Sequence, residues 1–118
     1  MTQFAYKIVN SPNPIDLTID HQPLSQLDQN DGFIHLSTKE QVSGTLDRFY
    51  TPFTSLVYLL QVNLDLVPDQ STIKWESPED HLTHIKFPHL YGPLKSSYIV
   101  HVFTIKKSDN GWILPSLD

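Results

Sequence analysis

With 118 residues, 39% of them hydrophobic and 18% charged, the chain has the make-up of one ordinary globular domain spanning residues 1–118. It is long enough to bury roughly two-thirds of the surface it exposes when unfolded. A net charge of −5 argues against generic binding to nucleic acid, Arg48 as the sole arginine nearly excludes an arginine clamp on phosphates, and zero cysteines exclude disulfides, thiolate metal sites and a cysteine nucleophile. No apolar run approaches the ~20 residues of a membrane span. The start Met1-Thr2-Gln3-Phe4 lacks the basic and apolar regions of a signal peptide. The expectation is a cytoplasmic, intracellular protein that meets neither membrane nor nucleic acid.

Phe4 to Val9 alternates well enough to be a first strand, and the prolines and asparagines of Asn10 to Pro14 end it. Ile15 to Asn30 admits a short strand or extended segment around Leu17 to Ile19 and a helical turn near Leu24 to Leu27. Asp31-Gly32 signals a turn, because glycine tolerates positive φ. Phe33 to Leu36 reads as a strand that directs Ile34 and Leu36 one way and Phe33, His35 and Ser37 the other. Ser37 and Glu40 have capping-box spacing, which predicts a helix from Thr38 with its apolar face at Val42, Leu46, Phe49 and Tyr50, ended by Pro52. His35 then stands beside the positive end of a helix, a setting that suits an anion or a nucleotide phosphate.

Leu56 to Val62 is nearly continuous in apolar residues, as in a strand covered on both faces. Ile73 to Glu76 is a short strand, followed by a polar loop over Ser77 to His84. Phe87 to Pro93 carries two prolines and a glycine and reads as a rigid turn. Tyr98 to Lys106 and Trp112 to Leu114 are strands of a hairpin turned by Ser108-Asp109-Asn110-Gly111. The expected fold class is α+β, mainly antiparallel, with one principal helix.

Taken together, DGFIHLS (31–37), Gln41, KWE (74–76) and FPHLYGPL (87–94) identify the chain as resembling the domain of unknown function 952 family. The match runs from Tyr6-Lys7-Ile8 to Gly111-Trp112. The resemblance implies a fold similar to that of the ADP-ribosyltransferases, two small splayed sheets that clamp NAD. It therefore implies an NAD-like nucleotide ligand in a cleft, cleavage of the nicotinamide glycosidic bond or transfer of ADP-ribose, and no metal.

Transferred residue by residue, His35 corresponds to the histidine that holds the nicotinamide ribose, and Ser37 to a small hydroxyl two positions on. Tyr91 or Trp75 would stack on nicotinamide, His89 would line the same cleft as a ligand-binding residue, and Glu76 is the one glutamate in a matching block. It precedes His89 and Tyr91, whereas the fold's catalytic glutamate usually comes late, and the last two strands hold no carboxylate. That order favours a second reading, a binding or sensor module without chemistry. A third reading is a metal-dependent hydrolase that uses His35, His89 and Glu76.

Each candidate also has a plain structural explanation. Ser37 is accounted for as a helix cap, and Glu40 as its capping-box partner. Trp75 beside Glu76 would desolvate the carboxyl and raise its pKa toward that of a general acid or base; alternatively the carboxylate stays ionised and stabilises positive charge on the ribose. His89 can fix its turn through a backbone hydrogen bond. His101 sits on an expected Ile99, Phe103, Ile105 face, as a core histidine would. His81 and His84 lie in an irregular polar loop that matches no metal-ligand spacing.

Overall fold

The computed structural model describes residues 2–49, 56–77 and 85–117. In chain order these form β1 (Phe4–Val9), α1 (Gln26–Asp31), β2 (Ile34–His35), α2 (Val42–Phe49), β3 (Leu56–Asn63), β4 (Ile73–Glu76), β5 (Phe87–Leu90), β6 (Ile99–Ser108) and β7 (Gly111–Ile113). The larger sheet has four strands in the order β1-β3-β6-β7, and the smaller has three in the order β2-β5-β4. Every pairing is antiparallel.

β3 is the hub, and it is covered on both faces as its apolar run predicts. Val57 and Leu59 pack with Tyr6, Ile8 and Ile105 beneath Val42 and Leu46 of α2. Leu60 and Val62 face the other way, into a second core shared with Ala5, Ile34, Leu36, Leu90 and Leu94. The smaller sheet thus lies on one face of the larger and α2 on the other. Each of these buried Val and Leu side chains contributes about 1.5–3 kcal/mol. Phe49's side chain, Tyr50 and Pro52, expected to complete and end the helix, fall outside the described side chains, as does the 78–84 stretch with His81 and His84.

The structure corrects four expectations. The capping box is displaced by one residue. The Thr38 N–H donates to Gln41 Oε1 at 2.9 Å, and α2 starts only at Val42. Gln41 also donates to the Lys86 carbonyl at 2.7 Å, so its amide ties the helix start to the approach of β5. Ser37 caps nothing; it bridges Tyr6 of β1 through two backbone hydrogen bonds.

Phe87–Leu90 is no turn but the middle strand of the smaller sheet. Pro88 is tolerated there because of where its missing N–H falls. Its carbonyl accepts from the Leu36 N–H at 3.1 Å, but it has no N–H to return, and the β2–β5 pairing stops at His35. The chain then leaves β5 and pairs with β1 at Ser37.

Leu17 to Ile19 forms no strand, because Asp16 folds back to accept hydrogen bonds from the N–H and hydroxyl of Thr18. The helical turn comes slightly later than expected, as α1, with Ser25 Oγ accepting from the Asp28 N–H. Gly32 has the positive φ anticipated for it, +80°, but as the C-cap of α1.

In β6, the register shifts so that Val62 pairs with Ile99 while Gln61 pairs with His101, leaving Val100 as an extra residue. Ile99 therefore faces the core between the sheets, whereas Phe103 and Ile105 face α2. His101 is exposed rather than a core residue. The hairpin to β7 turns where expected, with Ser108 opposite Gly111.

Candidate functional site

His35 of β2 pairs directly with His89 of β5. Because the neighbouring Leu36 N–H bonds across to β5, the His35–His89 pair is of the type whose backbone groups point away from each other and whose side chains approach most closely. The two rings meet edge to face, centroids 5.5 Å apart. Phe33 stacks on His89 at 4.1 Å and lies 4.6 Å from His35 and 5.0 Å from Tyr91. One face of the smaller sheet thus carries four rings, with Phe33 touching each of the other three.

On β4, Glu76 closes this face. Its Oε1 accepts from the Tyr91 hydroxyl at 2.7 Å and lies 2.9 Å from His89 Nδ1. These bonds, Tyr91's first and then His89's, hold the carboxyl below the usual glutamate range despite a small opposing effect of burial. The same bond pushes the Tyr91 phenol above its ordinary value. Glu76 is therefore ionised at neutral pH, a poised negative charge rather than a proton donor. If His89 donates from Nδ1, its Nε2 is left as an acceptor. Lys74 Nζ sits 4.9 Å from the centre of the Tyr91 ring.

His35 has a different environment from the one its sequence position suggests. Asp28 Oδ1 lies 2.7 Å from its Nδ1 and accepts from its backbone N–H at 3.1 Å. Asp31 Oδ2 lies 2.9 Å from its Nε2. The ring is bracketed by two carboxylates of α1, not set against a helix N-terminus, so the expected anion-favouring surroundings are absent.

Asp28 also accepts from Lys7 Nζ at 2.7 Å, inside the protein, with side chains 1% and 9% exposed. Burial by itself would raise the Asp28 carboxyl. The hydrogen bond from His35 and the charge and hydrogen bond of Lys7 outweigh it and hold Asp28 far below the usual range. For Lys7 burial prevails, and its ammonium is pulled below the ordinary lysine value despite Asp28.

Of the six residues singled out from sequence, His35, Glu76, His89 and Tyr91 come together. Ser37 and Trp75 do not. Ser37 is buried at the junction of the sheets, its Oγ 3.5 Å from Thr45 Oγ1 of α2. Trp75 pairs with Pro88, and strand alternation places it on the face opposite Lys74 and Glu76. It cannot form an indole wall over Glu76, and the expected upward shift of that carboxyl is replaced by a downward one. Among the described residues no group of three His, Cys, Asp or Glu side chains is arranged to hold a metal ion, so His35, His89 and Glu76 do not form the trio that a hydrolase reading needs.

Phe33, Lys7, Asp28 and Asp31 escaped the sequence reading as site residues. Alternation in Phe4–Val9 does place Lys7 on the same face as Ala5 and Val9, and a lysine on an apolar strand face signals a buried partner. Nothing local marks Asp28 as that partner.

Beside the rings runs a groove of about 520 Å3 whose lining includes Phe33, Tyr91, Pro23, Leu24, Gly92 and Pro93. No helix among the described residues is long and apolar enough to cross a membrane.

These features define a mixed α+β protein, mostly antiparallel with few helices, that displays a histidine–carboxylate–tyrosine face. The chain belongs to the family described as protein of unknown function (DUF952), whose model matches residues 17–102. It is similar to protein CC0527 from Caulobacter crescentus. The X-ray structure of that protein is 27% identical, with 92% of this chain and 91% of that one covered at a TM-score of 0.74. The solution NMR structure of CC0527 gives 27% identity, 92% and 90% coverage and a TM-score of 0.70. No curated protein matches the chain.

Proposed function

We propose that the ring-bearing face of the smaller sheet and its adjoining groove bind an NAD-like dinucleotide, the ligand implied by the resemblance to the ADP-ribosyltransferase fold. The observation that carries this reading is the convergence of His35, Glu76, His89 and Tyr91 on one face, with Tyr91 and Phe33 walling a groove of about 520 Å3. Small-ligand pockets span roughly 300–1,000 Å3. The aromatic pair supplies a stacking surface for nicotinamide. A ribose hydroxyl would reach His35 Nε2 by sharing or displacing Asp31, whose side chain is 42% exposed.

In a cleavage reaction the bond from ribose C1′ to the pyridinium nitrogen breaks, and its electron pair leaves with neutral nicotinamide. The ribose is left with positive charge, which the ionised Glu76 would stabilise. Water or an acceptor hydroxyl then bonds to C1′ and releases its proton. A second reading, binding without cleavage, is favoured by Glu76 Oε1 being already engaged by both Tyr91 and His89. In that reading the carboxylate organises the face instead of serving the ligand.

A thermal-shift titration with NAD tests the proposal. At a hundred times the dissociation constant, binding stabilises the fold by about 2.7 kcal/mol, and His35→Ala should abolish the shift. Absence of any shift with the wild type at millimolar NAD removes the nucleotide reading. If NAD binds, release of nicotinamide by the wild type but not by Glu76→Ala selects the enzyme; no release selects the binding module.

A further inference from the structure

On the other side of Asp28 from His35, edge strand β1 and the chain from Pro14 to Ser25 enclose a second cleft of about 460 Å3. Val9, Ile15, Ile34, Leu60 and Leu94 make most of its lining apolar. Ile19 and Leu24 also line it, yet they are 41% and 47% exposed, so its rim presents aliphatic surface to water.

Two polar side chains in this lining are more than nine-tenths buried and have hydrogen-bonding capacity left over. An ammonium has three N–H donors. Lys7, its side chain 9% exposed, gives one to Asp28, and among the described residues no other acceptor takes the rest. Gln22 is 6% exposed and donates from its amide nitrogen to the Asp16 carbonyl and to Ser96 Oγ, both at 2.8 Å. Those two bonds fix the amide's orientation and leave Oε1 as an acceptor, with no donor to it among the described residues. Both groups can therefore take a partner that enters the cleft.

We infer that this cleft is a binding site for a neutral, mainly aliphatic molecule whose head group both accepts and donates a hydrogen bond, as a hydroxyl or a primary amide does. The head accepts from Lys7 and donates to Gln22 Oε1, while the chain lies along the apolar lining and covers Ile19 and Leu24. A carboxylate head fits poorly. It has no proton for Gln22 Oε1, and the ionised Asp28 already sits 2.7 Å from the ammonium.

The test is an amide NMR titration of the full chain with n-octanol, octanamide and octanoate. Octanol and octanamide should shift the signals of Val9, Ile15, Ile19 and Leu24, with octanoate at least tenfold weaker. Leu24→Asp, a change at an exposed rim position, should weaken octanol binding at least fivefold, and Lys7→Met about tenfold. Should Lys7→Met fail to fold, the octanoate comparison and Leu24→Asp still decide. Val9 and Ile15 line this cleft and not the groove beside Phe33 and Tyr91, so their shifts with octanol should appear in NAD-free protein whether or not NAD itself binds. Shifts scattered over the surface, octanoate binding as tight as octanol, or indifference to Leu24→Asp would each overturn the inference.

Discussion

Lys7 Nζ and Asp28 Oδ2 stand 2.7 Å apart, the first on the edge strand of the larger sheet and the second on a helix of six residues. Asp28 spends its other oxygen on the backbone and ring of His35, so one buried carboxylate joins β1, α1 and β2.

Asp28→Ala should therefore destabilise the fold far more than an average substitution. It strands a buried ammonium and two His35 donors, and breaking a buried pair typically costs about 3–5 kcal/mol. The double change Lys7→Met with Asp28→Leu should recover most of that loss, since it removes both charges. Urea titration reads both values; a loss below about 0.5 kcal/mol, typical of an exposed site, contradicts the assigned role.

The same carboxylate sets an acid limb. A carboxyl held below its unfolded value adds stability that is complete above that value, about 3.9 for aspartate, and is lost as pH falls through the folded one. The Asp28 carboxyl is shifted in that direction. Its contribution should be constant from neutral pH to about 5 and decline below about 4. Urea midpoints measured from pH 7 to pH 2 should show this fall, and Asp28→Asn should flatten it.

Tyr91 offers an optical report on the candidate site. Its phenol is pushed above the ordinary value, chiefly by the bond to Glu76. Of the five tyrosines in the chain, one should ionise later than an exposed residue for this reason. Glu76→Ala, which removes both bond and charge, should return it to the ordinary range in an ultraviolet pH titration. An unchanged titration curve in that variant would show that the two side chains are not in contact in solution.

The displaced capping box can be separated from the expected one by two single changes. Gln41→Ala loses the bond to the Thr38 N–H and the bridge to Lys86, and should cost about 1 kcal/mol, as lost caps do. Glu40→Ala should lie within about 0.5 kcal/mol of wild type. The reverse ranking in thermal melts would restore Ser37 and Glu40 as the cap.

Much of this architecture is legible in the residues, and the failures have physical causes. The strands containing Leu56–Asn63 and Ile73–Glu76, and the hairpin at Ser108–Gly111, stand out because alternation, apolar runs and turn chemistry agree there. Phe87–Leu90 was hidden by Pro88, which reads as a breaker unless one knows that its absent N–H falls at the end of a ladder. The helix Gln26–Asp31 has almost no apolar face of its own; its buried residue is Asp28, held by Lys7 and His35 from elsewhere in the chain. Four of the six candidate site residues share one face because the blocks that carry them are paired strands. Trp75 fails because a strand sends neighbours to opposite faces, and Ser37 because the chain changes partners at that point.

That change of partners has a consequence for how the protein opens. Leu36 gives its N–H to Pro88 in one sheet, and Ser37 exchanges hydrogen bonds with Tyr6 in the other, so adjacent peptide groups belong to different sheets. Neither sheet can peel away without straining the other through a single peptide link, and both share the core around Leu36 and Leu60. Slow exchange of the Leu36, Ser37 and Tyr6 amides with solvent deuterium should occur at one common rate, the mark of two sheets that melt as one cooperative unit.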